Sequence, residues 1–278
     1  LDSNGLRCRH TETSFEYGAE VTVQDADGNR FSSYWWDATP MLKDLNIKDC
    51  GEIAFKRAMS QIGPVKIESG KYSMVIESEV ASRLVTPVLN ALGGYSLQQK
   101  NSFMLDSLGK KMFPEWLNIW DRPVSVGETG SRLFDSEGVA TAEMPIVENG
   151  VVKEYFVNTY MSRKMGVEAT VEDATRPVVL PCFAPSVAEP VEATCGKEGL
   201  MRIVGEGILV TGFNGGNSNS ATGDFSFGVE GFLFKDGKIV HPVREMLITG
   251  NLLTLWNNLL AAGNDARFCK SKLIPTLA

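Results

Sequence analysis

Three dipeptides, each set between short apolar and β-branched runs, most constrain what this chain can fold into. Asp27-Gly28 lies between residues 20–24 and 30–36, Asn149-Gly150 between 144–147 and 151–157, and Asp236-Gly237 between 231–234 and 238–240. Asn-Gly and Asp-Gly supply the positive φ angles that a tight turn between twisted strands requires, so each reads as a β-hairpin. Hairpins pair their strands antiparallel, which argues against a doubly wound parallel sheet. Four segments among them read as helices. One runs from Asp49, as N-cap, to Gln61, with Ile53, Phe55, Ala58 and Met59 tending to one side. A second covers residues 79–92, with Pro87 inside it and Gly93-Gly94 ending it. A third covers 160–165 and stops at Gly166. The fourth starts at an Asn251 cap, carries Leu252, Leu255, Trp256 and Leu259 on one face, and is closed by Gly263. Helices mixed with hairpins predict an α+β fold of antiparallel, hairpin-rich sheets packed with a few helices.

Two stretches read as loops. Residues 176–190 hold Pro177, Pro181, Pro185 and Pro190 and predict an extended surface excursion. Residues 214–220 contain only Asn, Gly and Ser. The run Thr222-Gly223-Asp224-Phe225-Ser226-Phe227-Gly228 after them has two readings. Its glycines let backbone approach a ligand, with Asp224 orienting a cation or an amide; alternatively it is a turn, with Phe225 and Phe227 in the core. A domain boundary is expected at Ile62-Gly63-Pro64. The absence of an initiator Met and the early strand pattern read as a chain lacking an upstream segment.

Charge and cysteine usage narrow the function. The chain has 27 Lys+Arg against 34 Asp+Glu, a formal charge of −7, which argues against a surface built to neutralise phosphates. Cys8, Cys50, Cys182, Cys195 and Cys269 are widely spaced, without Cys-x-x-Cys, and read as free thiols in a reducing compartment. No secretory signal or bilayer-spanning run is visible, so a soluble, cytoplasmic protein is expected. Only His10 and His241 are available as imidazoles. Neither sits in a His-Glu-x-x-His helix or beside a Gly-x-Ser-x-Gly elbow, and no Gly-x-Gly-x-x-Gly or Walker pattern cradles a nucleotide. Cys8 and His10, two apart on a presumed strand, share a face, but two ligands do not make a zinc site.

The late motifs have a family resemblance. Residues 222–228, Lys235-Asp236-Gly237-Lys238, Pro242-Val243-Arg244-Glu245, Ile248-Thr249-Gly250-Asn251-Leu252 and Gly263-Asn264-Asp265 closely resemble the PmbA/TldE family. So do Leu105-Asp106-Ser107-Leu108-Gly109-Lys110 and Phe134-Asp135-Ser136-Glu137-Gly138. The resemblance implies a remnant of an N-terminal/central α/β domain over residues 1–62 and a C-terminal α+β domain over 63–278. It also implies one half of a TldD–TldE metalloprotease that trims peptides, a family described as modulating DNA gyrase.

The TldD-like partner of such a pair carries a helical His-Glu-x-x-x-His, with a cysteine near its C-terminus as third zinc ligand. Here the matching helix reads Val85-Thr86-Pro87-Val88-Leu89-Asn90, and Cys269 is the rough counterpart of that cysteine. The resemblance therefore implies a TldE-like subunit with no catalytic residue, no metal and no cofactor of its own. Its expected partners are a TldD-like zinc subunit, a peptide and, indirectly, gyrase, with no membrane and a homodimer when alone. Asn217, Gly223, Asp224, Ser226 and Gly228 are expected to face the peptide or the partner. Two further readings are a stand-alone gyrase-binding protein and an independent hydrolase using Asp224 or Cys269.

Overall fold

The computed structural model describes residue 3 and residues 5–187 and 196–278. Pro190 and Cys195 lie outside the described residues. The chain opens on a long antiparallel hairpin, β1 (Phe15–Gln24) and β2 (Arg30–Thr39), paired in unbroken register from Phe15↔Thr39 to Gln24↔Arg30. Its turn forms at the expected dipeptide: Asp25 accepts from the Asp27 and Asn29 amides, and Gly28 has φ +88°. Helix α1 (Cys50–Met59) crosses this hairpin. It buries Cys50, Ala54 and Ala58, small residues at i, i+4 and i+8 that allow close approach, and leaves Phe55 and Met59 exposed, contrary to the expected stripe. Nor does the Asp49 side chain cap the helix; its backbone is left-handed, at φ +60°.

The larger part is organised by four strands in the order β11-β10-β9-β3. Strand β3 (Met74–Ile76) comes first, followed by α2 (Ser82–Ala91) and α3 (Gly94–Gln98). Next come β4 (Ile119–Asp121), β5 (Met144–Glu148), β6 (Val151–Val152), α4 (Thr159–Met165), β7 (Pro177–Val179) and β8 (Cys182–Phe183). The chain then forms α5 (Lys197–Val204), β9 (Glu206–Ser218), β10 (Asp224–Lys235), β11 (Lys238–Asn251), α6 (Leu252–Asn257) and β12 (Ala261–Ala262). A second sheet has the order β6-β5-β4-β7, and β12 pairs with β8. All named pairings are antiparallel except β3 with β9, so the architecture is α+β with hairpin-built sheets.

The turns at 149–150 and 236–237 are those predicted. Asn149 and Gly150 have φ +51° and +74°, and Asp236 and Gly237 have +50° and +70°, the paired left-handed geometry of a two-residue hairpin. Asn158 caps α4 through the Met161 amide, and Gly166 ends it at φ +69°. Asn251 caps α6 through the Leu253 and Thr254 amides, as expected. That helix stops at Asn257, however, and Gly263 lies beyond the next strand.

Two predicted loops contribute strands in part. Residues 177–179 and 182–183 form β7 and β8, and Arg176 is buried, with Nη1 on Ser125 Oγ and Nη2 on Glu128. Pro177 is tolerated because it opens an edge strand, where a missing N–H breaks little of the ladder. The Asn/Gly/Ser run likewise continues β9: Gly216, Asn217 and Ser218 pair with Phe227, Ser226 and Phe225. Local composition disfavours a strand there, but two long neighbours supply the hydrogen bonds. A bulge at Phe227/Val229 and left-handed φ angles at Gly215 and Gly216 take up the strain.

Alternation along β10 builds two cores. Phe225, Phe227 and Val229 meet Leu84, Val85, Val88 and Leu89 of α2, together with Trp256. Phe232 and Phe234, of opposite parity, meet Leu200 and Met201 of α5.

Cys8 is exposed, while Cys50, Cys182 and Cys269 are buried free thiols. Burial pushes the Cys182 thiol up to about 11, against a smaller opposing hydrogen bond from the Ala262 backbone. Because the thiolate is the reactive form, native protein treated with a maleimide near neutral pH is expected to label at Cys8 and not at Cys182. Peptide mapping should find Cys182 modified only after denaturation.

Candidate functional site

Between α2 and the far ends of β9 and β10 the chain encloses a cavity of about 560 Å³. Its floor is aromatic. Phe225 and Phe227 stack with centroids 5.1 Å apart, and Phe213 meets Phe227 edge-on at 5.6 Å. Arg83, on α2, lays its guanidinium over Phe227 at 5.0 Å and donates from Nη2 to Gly216 O at 2.7 Å. These two contacts fix the orientation of a long, otherwise exposed side chain. Asn90, Ser96, Asn217 and Ser218 also line the cavity.

Of the five residues expected to face a ligand, Asn217 reaches the cavity wall. Gly223 is buried in the turn from β9 to β10 at φ +78°, where a Cβ would meet the Phe103 ring at 3.1 Å. Asp224 is exposed but committed to the local structure. Its carboxylate accepts from Asn251 Nδ2 at 2.9 Å and Thr222 Oγ1 at 2.7 Å, which hold it below the usual carboxylate range. Asn251 therefore caps α6 with its oxygen while its nitrogen ties Thr222 and Asp224 to that cap. Ser226 is half-buried opposite Asn217, and Gly228 leaves room for Asn214 Oδ1, 2.4 Å from where a Cβ would stand. Phe225 and Phe227 lie in the core, as the turn reading required. The segment thus shapes the cavity through its backbone, while Arg83 and Asn90 come from the predicted helix, which the sequence reading did not single out for ligand-facing residues. Their signal was the helix itself: its buried stripe of Leu84, Val85 and Val88 fixes which residues remain for the outer face.

The other side chains singled out are dispersed. Cys8 and His10 lie outside any strand; His10 pairs with Glu12 at 3.3 Å and abuts the Phe134 ring. Cys269 is buried, its thiol pushed up by burial, in a segment whose Lys270 and Lys272 reach Glu79 and Thr86 of the α2 region. Among the described residues no three His, Cys, Asp or Glu side chains gather as a metal site would require. No described helix is long and apolar enough to cross a membrane.

Compared with known families, the chain matches models of a metallopeptidase family along nearly its whole length. The chain belongs to the PmbA/TldA metallopeptidases: residues 69–278 match the family's C-terminal domain and residues 1–62 its central domain. It is 30% identical over 284 residues to the metalloprotease PmbA of Escherichia coli, covering 99% of this chain and 60% of that protein. It is 35% identical over 215 residues to a PmbA homologue of Haemophilus influenzae, covering 77% of this chain and 46% of that one. A solved structure from Bacteroides thetaiotaomicron, described as a candidate modulator of DNA gyrase, superposes with a TM-score of 0.93 at 42% identity, over 100% of this chain and 61% of its own. The chain thus spans about half to three-fifths of the length of these relatives.

A metallopeptidase implies a zinc site, and the donors along α2 do not suit one. Val85, Val88 and Leu89 are packed into the core. Thr86 donates its hydroxyl to Ser82 O at 2.9 Å and accepts from Lys272 Nζ at 3.0 Å. An ammonium bonded at that position repels a cation, and neither an imidazole nor a carboxylate stands on residues 85–90.

Proposed function

We propose that this chain is the non-catalytic, TldE-like part of a paired peptide-processing metalloprotease whose zinc is carried by a TldD-like subunit. The observation that carries the reading is the α2 helix, where Lys272 bonded to Thr86 occupies the stretch that a zinc subunit would furnish with ligands. In the reading, residues 214–228 present the backbone edge and the Asn217 wall of the cavity toward peptide or partner, a use of main-chain hydrogen bonds common in peptide recognition. The boundary near residue 63 separates a unit that positions the subunit from one that encloses the site.

The test combines elemental analysis with a peptide-cleavage assay on this chain, on a TldD-like protein and on their mixture. The chain alone is expected to hold no stoichiometric zinc and to cleave nothing, with chelator-sensitive cleavage appearing in the mixture. One tightly held zinc per chain together with chelator-sensitive cleavage by the chain alone would falsify the reading. A second reading, contact with DNA gyrase without proteolysis, takes its support from the description of the Bacteroides relative. It predicts an altered supercoiling rate on adding this chain to purified gyrase.

A further inference from the structure

The cavity between α2 and the β9–β10 ends has the chemistry of a binding site in its own right. Arg83 is its cationic wall residue, and among the described residues no acidic side chain lines it. A guanidinium carries five N–H donors, and Arg83 uses one of them, on Gly216 O; among the described residues it has no carboxylate partner. Asn90, Ser96, Asn217 and Ser218 line the same space, Asn217 from a strand position whose register partner is Ser226, and their side chains make no hydrogen bond among the described residues. Phe103, Phe213 and Phe227 supply the apolar surface. At about 560 Å³ the space falls within the range of small-molecule sites, ~300–1,000 Å³.

We propose that this cavity binds an apolar residue bearing a free carboxylate, with the carboxylate on Arg83, the side chain against the phenylalanines and the adjoining amide on Asn90. A single guanidinium held over Phe227 suits the planar, singly charged carboxylate, which it can grip through two parallel hydrogen bonds. A phosphate would call for further cations or a nest of backbone amides, which this wall lacks. The unbonded Asn90 carboxamide matches the donor and acceptor of a peptide unit. The ligand chemistry is shared by two sources, the C-terminal residue of a peptide and a lone N-acylated amino acid.

Titration calorimetry on the intact chain tests the proposal with four probes: N-acetylphenylalanine, its carboxamide, N-acetyl-Gly-Gly-Phe, and that peptide's carboxamide. Both acids are expected to bind at least about tenfold more tightly than their amides, and Arg83→Gln is expected to abolish that preference. Tighter binding of the longer acid assigns the site to peptide termini; equal binding of the two acids assigns it to single acylated residues. Arg83 is exposed, so the variant should keep its melting temperature; the acid-against-amide comparison on the unaltered chain decides the matter even if it does not. Equal binding of acids and amides, absence of binding at millimolar concentration, or an undiminished acid preference in a folded Arg83→Gln protein would overturn the inference. Such a failure leaves the subunit reading standing, because that reading is tested by mixing with the zinc partner and not by ligand binding to this chain.

Discussion

Replacing Glu77 by alanine is expected to destabilise the protein by about 3 kcal/mol, because it takes the buried carboxylate from two partly buried cations, Arg57 and Lys197. Glu77 is 5% exposed, takes both arms of the Arg57 guanidinium at 3.1 and 2.7 Å, and accepts from Lys197 Nζ at 3.0 Å. Arg57 sits on α1 and Lys197 on α5, so one carboxylate joins three parts of the chain. Burial by itself would raise the Glu77 pKa; the Arg57 fork and Lys197 outweigh it, and the group ends below its ordinary value. A carboxylate depressed in the folded state contributes stability that is fully present above its unfolded pKa, about 4.3, and is lost as pH falls through the lower folded value. Urea unfolding between neutral pH and pH 3 should therefore show Glu77→Gln weakened at neutral pH, with a shallower acid limb than the unaltered protein. Parallel curves would show that the pair contributes nothing to the acid sensitivity.

The second large effect is expected at Gly231. Strand β10 runs between β9 and β11 there, and a Cβ on Gly231 would stand 1.8 Å from Leu209 O. The obstacle is backbone already held in the ladder, so it cannot swing aside as a side-chain tip would. Gly231→Ala should cost about 3 kcal/mol or more, the upper end for overpacking. Gly63→Ala makes the control: its φ of +75° is left-handed, but nothing lies within 4 Å of the added carbon. That substitution should cost only the left-handed strain, about 1–2 kcal/mol. Thermal or urea unfolding of the two variants separates obstruction from conformational preference, and equal losses would refute the distinction.

What could be read from the sequence was what local chemistry decides. The Asn149-Gly150 and Asp236-Gly237 turns, the Asn251 cap and the Gly166 stop depend on the residue at the spot, and they stand where the sequence places them. The errors lie where distant partners decide. Asn-Gly-Gly-Asn-Ser has no strand propensity, yet β10 draws it into the sheet; the proline-rich stretch is held by β4, Leu273 and the buried Arg176. Strand β3 is three residues long and pairs in parallel with a segment far along the chain, a relation with no local trace. The cavity followed the same rule. Its backbone side was visible as a glycine-rich motif, whereas Arg83 became a wall residue only through the packing of α2 on Phe227.

The parallel pairing of β3 also bears on how the chain reaches this state during synthesis. Met74 must wait for Ile208, and Ile76 is flanked on its other side by Leu277, whose amide and carbonyl both bond to it. Closing loops of that length is slow, because their entropy is lost before any contact compensates. While the ribosome is still building the middle of the chain, the apolar sides of β3 and α2 have no sheet to cover them. The hairpins at 27–28 and 149–150 can form as they emerge, but the central layer is sealed only when the segment around Leu277 has left the exit tunnel. A nascent chain of this design therefore keeps the apolar sides of β3 and α2 uncovered until the segment around Leu277 is free to act as a latch on Ile76.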